Sequence, residues 1–367
     1  MKKIMIVVHS ITSGGAERVS ANLANYLDKL GVKVLIVNYL DDEDFYEVNE
    51  SIVRIHMHSR YHGIAGSNLR RVFAVRKIIK EQAPDVVLGM TTTSAVIVAM
   101  ASLGLKVRAF GAERTFPPNS PVSLPWKMLR FISYRFLTGV IVQTKRGKEW
   151  LQSELGLKNV KVVPNPLKMP LDIRSPKLDP KDTLSENTKV VLGVGRLCND
   201  KGFDRLIAAL YFLNELNDDW VLVLLGEGED RELLTQLSKK LGIENRVLML
   251  GKSGNISEWY YRSSIYVMSS RNEGFPNSLV EALGHGLPVI SFDCQTGPKE
   301  IIEQHVNGIL VPNGDIDLLS KSIFELINCK KRRKELSNQA IISSIKYSED
   351  KVMQKWLDCF HDYDKGY

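Results

Sequence analysis

The sequence predicts an α/β protein of two doubly wound, Rossmann-like domains facing each other across a central cleft. Three observations carry that expectation. Short β-branched runs alternate with amphipathic stretches, the runs fall into two series, and each series opens with a glycine-rich turn after its first run. The first series is IMIVVHS (4–10), KVLIVNYL (33–40), DVVLGM (85–90), KVRAFG (106–111), GVIVQT (139–144) and VKVVPN (160–165). The second is KVVLGVG (189–195), WVLVLLG (220–226), RVLMLG (246–251), SIYVMSS (264–270) and LPVISF (287–292). Between them, residues 164–188 are rich in Pro, Asp, Ser and Lys and lack apolar periodicity, which reads as a linker. The expected boundaries are therefore a first domain over 1–165, a linker over 166–188 and a second domain over 189–346. A capped amphipathic helix at 348–363, with Val352, Trp356, Leu357 and Phe360 at helical spacing, lies in a last segment, 347–367, expected to return to the first domain.

Composition narrows the function classes. A chain of 367 residues can bury two cores of ordinary size. The four cysteines, Cys198, Cys294, Cys329 and Cys359, lie far apart with no CxxC or Cys/His ligand spacing, which suits reduced thiols and argues against a zinc site. The apolar part of MKKIMIVVHS is too short for a signal sequence and fits a buried first strand, and nothing approaches a transmembrane span. A net charge of +7 asks for an anionic partner: nucleic acid, anionic lipid or a phosphorylated substrate.

The glycine-rich turns suit phosphate. In HSITSGGAER (9–18), Gly14 and Gly15 clear the backbone at the start of a helix; in GVGRLCNDKGFDRLI (193–207), Gly195, Arg196 and Lys201 surround a turn ahead of another. Cys198 breaks the GxGxxG pattern of dinucleotide dehydrogenases. The stretch RNEGFPNSLVEALGHG (271–286) places Glu273 before a helix and Glu281 inside it, with Asn277 and Ser278 expected as caps. Free amides between two carboxylates suit a ligand with a diphosphate in its middle and hydroxyls at both ends, the shape of a nucleotide sugar.

Taken together, SGGAER, GRLCNDKG, GEG at 226–228, EGFPNSLVEA at 273–282 and GPKEII at 297–302 resemble, in order and spacing, a retaining glycosyltransferase of family 4 with the GT-B fold. The resemblance implies that Glu281 binds the ribose hydroxyls of a UDP-linked donor and that Glu273 lies beside the donor sugar. Gly15, Gly195, Gly274 and the backbone of Phe275, Asn277 and Ser278 line the donor, while Arg196 and Lys201 neutralise the departing diphosphate. It implies neither cofactor nor metal. The Asp-x-Asp pairs at Asp42 and Asp44, Asp315 and Asp317, and Asp362 and Asp364 are read as solvated acids. Many relatives carry a histidine where this chain has FGAERTFPPNS (110–120), so Glu113 and Arg114 are the first-domain candidates, with an internal ion pair as the plainer reading.

Acceptor binding is expected in the first domain, at Glu17 and Arg18 and on a helix at 67–81. There Arg70, Lys77 and Lys80 are cations on one side, and Leu69, Val72, Phe73 and Ile79 supply an apolar face. At 121–139, Trp126, Phe131, Tyr134 and Phe136 interleave with Lys127, Arg130 and Arg135, a mix that suits an anionic lipid interface. SGGAER with these basic helices looks most like bacterial enzymes extending polyprenyl diphosphate-linked glycans, in surface polysaccharide such as O-antigen or in protein glycosylation. The expected setting is cytoplasmic, peripheral on the inner face of the membrane. A soluble acceptor, a nucleotide-sugar epimerase and a basic nucleic-acid-binding protein are the rivals. No recognised nucleic-acid motif supports the last, so no nucleic acid is expected as a partner.

Overall fold

The computed structural model describes residues 1–12, 14–40, 45–57, 67–119, 122–215 and 220–362. It divides into two compact units, Met1–Pro166 with Asp350–Tyr367, and Leu167–Glu349.

The first unit holds a seven-stranded parallel sheet in the order β3-β2-β1-β4-β5-β6-β7. Its strands are β1 (Lys3–Val8), β2 (Lys33–Asn38), β3 (Val53–His56), β4 (Val86–Gly89), β5 (Arg108–Glu113), β6 (Gly139–Val142) and β7 (Val160–Val162). The central strands read as unbroken apolar runs because a parallel sheet is covered on both faces; Ile4 to Val8 are all buried. Helices α1 (Gly15–Lys29), α2 (Asn68–Gln82), α3 (Thr92–Ser102), α4 (Leu124–Ser133) and α5 (Lys145–Leu155) connect them. Ser67, Thr91 and Thr144 cap α2, α3 and α5 through their side chains. The chain order reverses between β1 and β4, where an open α/β sheet leaves a crevice at the carboxyl ends of its strands.

The second unit repeats the plan with six strands in the order β10-β9-β8-β11-β12-β13. These are β8 (Lys189–Val194), β9 (Trp220–Leu225), β10 (Val247–Gly251), β11 (Ile265–Met268), β12 (Val289–Asp293) and β13 (Gly308–Pro312). Its helices are α6 (Pro180–Thr183), α7 (Phe203–Ala209), α8 (Arg231–Lys240), α9 (Ile256–Arg262), α10 (Asn277–Gly284), α11 (Pro298–Ile301), α12 (Ile316–Asn328) and α13 (Lys330–Ser344). The reversal here falls between β8 and β11.

One segment differs from the linker-and-domain reading. Residues 167–188 form a strap on the second unit. Asn255 Oδ1 accepts from Leu178 N (2.8 Å), while its amide and the Trp259 indole donate to Leu178 O (3.0 and 2.8 Å). With its backbone satisfied by side chains of the unit, a stretch of loop-like composition has no reason to hang free. The last helix, α14 (Glu349–His361), belongs to the first unit, as the sequence reading expected. Its Val352, Met353, Trp356, Cys359 and Phe360 share a core with Ile4, Ile6, Val8 and Phe110, and Arg108 donates to Phe360 O at 2.6 Å.

Candidate functional site

In the second unit, β8 and β11 are hydrogen-bonded neighbours at the reversal, so the loops leaving their carboxyl ends, 195–202 and 269–276, must meet. Several contacts lock them together. Arg271 N donates to Asp200 O at 2.7 Å, and Ser269 Oγ donates to Lys201 O at 2.9 Å. The Arg271 guanidinium forks onto Asp204 at 2.7 and 2.6 Å and also reaches Asn199 O at 2.9 Å. Burial alone would raise the Asp204 carboxyl, but the bonds and charge of Arg271 hold it below its ordinary value. Gly202 makes the close approach possible: its φ is +61°, and a Cβ there would lie 2.2 Å from Ser269 O. Behind the first loop, Gly226 sits at φ +144° where a Cβ would strike Gly195 O, which accounts for the glycine opening GEG.

The candidate side chains Lys201 and Glu273 lie where these loops join. Lys201 Nζ donates to Glu273 Oε1 at 2.6 Å, and Ser270 Oγ donates to the same oxygen at 2.7 Å. The Glu273 side chain is 9% exposed and that of Lys201 27%. Thr296, one residue before GPKEII, donates from its hydroxyl to the Glu273 carbonyl, so main chain and carboxylate are both fixed. Arg196, from the same turn as Lys201, is exposed. Gly274 follows directly, and Phe275 turns its ring into the core against Tyr347 at 5.8 Å, leaving its backbone to face the turn.

Helix α10 begins one residue earlier than its cap chemistry suggested. Pro276 is the N-cap and Asn277 the first helical residue, while the Ser278 hydroxyl accepts from Tyr266 OH at 2.8 Å. Half-buried Ser278 thus serves the contact with Tyr266, not the cap. Glu281 is 7% exposed, and its Oε2 accepts from Tyr260 OH at 3.1 Å. One turn on, His285 Nδ1 lies 2.7 Å from Glu281 O and Nε2 lies 3.0 Å from Ser257 Oγ. A carbonyl only accepts, so Nδ1 carries the proton and Ser257 donates to Nε2. Burial holds the His285 pKa below its ordinary value, against the opposing pull of the Glu281 carbonyl and charge. Tyr260, Tyr266, Arg271 and His285 escaped the sequence reading. Arg271 and His285 carried a signal there, standing in the quoted stretch two residues before Glu273 and four after Glu281.

The first unit distributes its candidates over three places. Gly15, Glu17 and Arg18 open α1 after β1. Tyr46 OH donates to Gly14 O at 3.0 Å, which pins this turn. Glu113 ends β5 and is 2% exposed, accepting from Thr92 and Tyr134 hydroxyls, each at 2.6 Å, with Arg130 at 3.8 Å. Burial pushes its carboxyl up, opposed by those two bonds and the Arg130 charge. Arg114 points elsewhere: it donates to Asn165, stacks over Trp356 at 5.7 Å, and burial lowers its pKa to about 9. Both side chains are thus committed to the interior, and the internal ion pair forms between Glu113 and Arg130. Arg70, Lys77 and Lys80 share the outer side of α2, with Lys77 3.9 Å from Glu81. The buried face of this helix is Val72, Ala74, Val75, Ile78 and Ile79; Leu69 and Phe73, expected there, are 60% and 65% exposed.

The interfacial helix also needs correction. Tyr134 and Arg130 are buried partners of Glu113 and belong to the core. Phe131 and Phe136 are exposed as expected, joined by Leu124, Met128, Leu129 and Ile132, which the sequence reading did not name. Among the described residues no three or more His, Cys, Asp or Glu are grouped to hold a metal. Asp315 caps α12 through Leu318 N at 2.9 Å; Asp42, Asp44 and Asp364 lie outside the described residues.

Family models for Glycosyltransferase Family 4 and Glycosyl transferases group 1 match residues 13–168 and 175–342. A Campylobacter jejuni relative is 30% identical over 365 residues, 97% of this chain and 98% of its own. The chain belongs to glycosyltransferase family 4. That relative is the N-acetylgalactosaminyltransferase acting on a GalNAc-GalNAc-diNAcBac-PP-undecaprenol glycan. The amylovoran biosynthesis glycosyltransferase AmsD of Erwinia amylovora is 29% identical over 370 residues, covering 98% of this chain and 99% of AmsD. Among solved structures, a glycosyltransferase from Rickettsia africae superposes with a TM-score of 0.83 at 19% identity, covering 100% of this chain and 99% of that one. The Anabaena protein HepE, solved with UDP and glucose, gives 0.78 at 21% identity, with 99% and 100% covered. The GT-B class of α/β fold read from the sequence is the one this glycosyltransferase shares with them.

Proposed function

We propose that this glycosyltransferase moves a hexose or N-acetylhexosamine, with retention of configuration and without a metal, from a UDP-linked sugar to a polyprenyl diphosphate-linked glycan in polysaccharide or glycan biosynthesis. The observation that carries the donor half is the meeting of Lys201 and Glu273 at the β8/β11 reversal, 2.6 Å apart and directly before α10. As the bond from the sugar's anomeric carbon to the diphosphate breaks, charge grows on the diphosphate oxygens. Lys201 and exposed Arg196 are the cations of the adjoining turn to meet it, supported by the amides at the start of α10. Glu281, on the same helix, accepts from the ribose diol, and Glu273 faces the sugar.

Relatives with undecaprenol-linked acceptors support the acceptor half. So does the first unit's surface: Leu69 and Phe73 stand out from α2 beside Arg70, Lys77 and Lys80, and α4 exposes five large apolar residues. Beside α4 lies a cavity of about 690 Å³ lined by Val122, Met128, Phe131, Ile132, Trp150 and Leu155. The Arg135 guanidinium lies 3.8 Å over the Phe131 ring. Apolar side chains set among cations suit the boundary of an anionic membrane, where the rings enter the acyl region and the charges stay with the headgroups. No helix among the described residues is long and apolar enough to cross a membrane, so attachment of this kind is peripheral.

The test is a thermal-unfolding screen of nucleotide sugars, since a ligand bound only by the native state raises its melting temperature. A UDP-linked sugar should raise it and the glycine-loop variant Gly202→Val should not respond. No rise with any nucleotide sugar would overturn the reading.

A further inference from the structure

We infer that Tyr260 is a positioning residue for the donor nucleotide, acting through Glu281 to set the site's preference for an intact ribose diol; this rests on the proposed role of Glu281. Holding a vicinal diol takes a carboxylate fixed in rotation, and a glutamate side chain has three torsions to lose. Tyr260 supplies the constraint. It is fully buried, its OH donates to Glu281 Oε2 at 3.1 Å, and it also reaches Ser278 O at 3.3 Å. A carboxylate has about four acceptor positions, so this bond fixes its plane and leaves acceptor capacity for hydroxyls.

The helix that carries Tyr260 is itself held. Trp259 bonds to the strap at Leu178 O, and Ser257 meets the far nitrogen of His285 at 3.0 Å. The His285 ring lies against Tyr260 with centroids 4.8 Å apart, while its near nitrogen grips Glu281 O at 2.7 Å. Glu281 is therefore fixed at its carbonyl by His285 and at its carboxylate by Tyr260, both reached from α9. Such support from neighbouring side chains is what keeps a binding group within the tolerance its ligand requires.

Calorimetric titration of UDP and 2′,3′-dideoxy-UDP, with the GDP and ADP pairs run alongside, tests the assignment in the full chain. Tyr260→Phe removes one oxygen and keeps the ring contacts; melting curves confirm a folded sample. The unaltered protein should bind the ribonucleotide more tightly than its dideoxy counterpart. Tyr260→Phe should weaken the ribonucleotide by about five- to tenfold, the worth of one such hydrogen bond, and leave the dideoxy form unchanged. In a Glu281→Ala background the same substitution should change nothing further. Equal weakening of both ligands would show a merely structural role, and unchanged ribonucleotide affinity would show none; either overturns the inference alone. If the unaltered protein fails to discriminate the pairs, or binds none of them, the role given to Glu281 falls and this inference with it.

Discussion

Lys201 Nζ and Glu273 Oε1 are 2.6 Å apart, so two residues assigned separate tasks on sequence grounds form one ion pair. With Ser270 on the same carboxylate oxygen, the lysine is neutralised by a partner whose side chain is 9% exposed. A diphosphate entering the turn brings its own negative charge, and in the proposed function Lys201 is shared between it and Glu273.

Removing either cation of the turn should therefore cost turnover more than stability. Lys201→Ala and Arg196→Ala should each lower kcat by more than about 100-fold, since one preorganised contact to developing charge is worth about 3 kcal/mol. Melting temperature should change little for Arg196→Ala, which is exposed. Near-normal turnover in both variants with a confirmed donor would remove them from the mechanism.

Activity should survive excess EDTA, because the proposed charge stabilisation comes from Lys201, Arg196 and backbone amides. The measurement is the initial rate before and after chelation. A loss restored by Mg²⁺ or Mn²⁺ would place a metal in the reaction.

His285 should make native stability fall on acidification. Its folded pKa is depressed from 6.5 by burial, so the unfolded chain takes up protons that the folded one refuses. The contribution is complete above 6.5 and is lost as pH falls through that value toward the folded one. The groups around the ring are the Glu281 carbonyl, Ser257, Tyr260 and Tyr261. Urea unfolding of His285→Gln should accordingly show a shallower decline from neutral to mildly acidic pH than the unaltered protein; parallel declines would contradict it.

On α2, replacing Arg70, Lys77 and Lys80 together by alanine should raise the KM for a polyprenyl diphosphate glycan, with the gap narrowing at high salt. Donor KM should hold, because those side chains belong to the first unit. A silent triple substitution would mark them as an ordinary solvated face.

The sheets were legible wherever strands are buried on both sides, as with 4–10 and 189–195, because unbroken β-branched runs have few other uses. Two of the four edge strands were not: β3 leaves Val53 53% exposed and β13 ends in Pro312, whereas β7 and β10 at the opposite edges were read as apolar runs. The strap at 167–188 was misread because composition says nothing about Asn255 and Trp259, which satisfy its backbone from elsewhere. Leu69 and Phe73 follow helical spacing as well as Val75 and Ile78 do, and only packing chose between the two faces. Within the site, Glu273 and Glu281 stood out because they flank a turn in one short stretch. Tyr260 and Tyr266 did not, since their partnership with α10 is created by tertiary packing.

The anomeric configuration of the product tests the central claim most directly. Nuclear magnetic resonance of the glycan formed from an α-linked UDP-sugar and a polyprenyl diphosphate-linked acceptor reads it. Retention predicts an α-linked product, formed by the unaltered enzyme and abolished in Lys201→Ala. A β-linked product, or transfer undiminished by that substitution, would contradict the account.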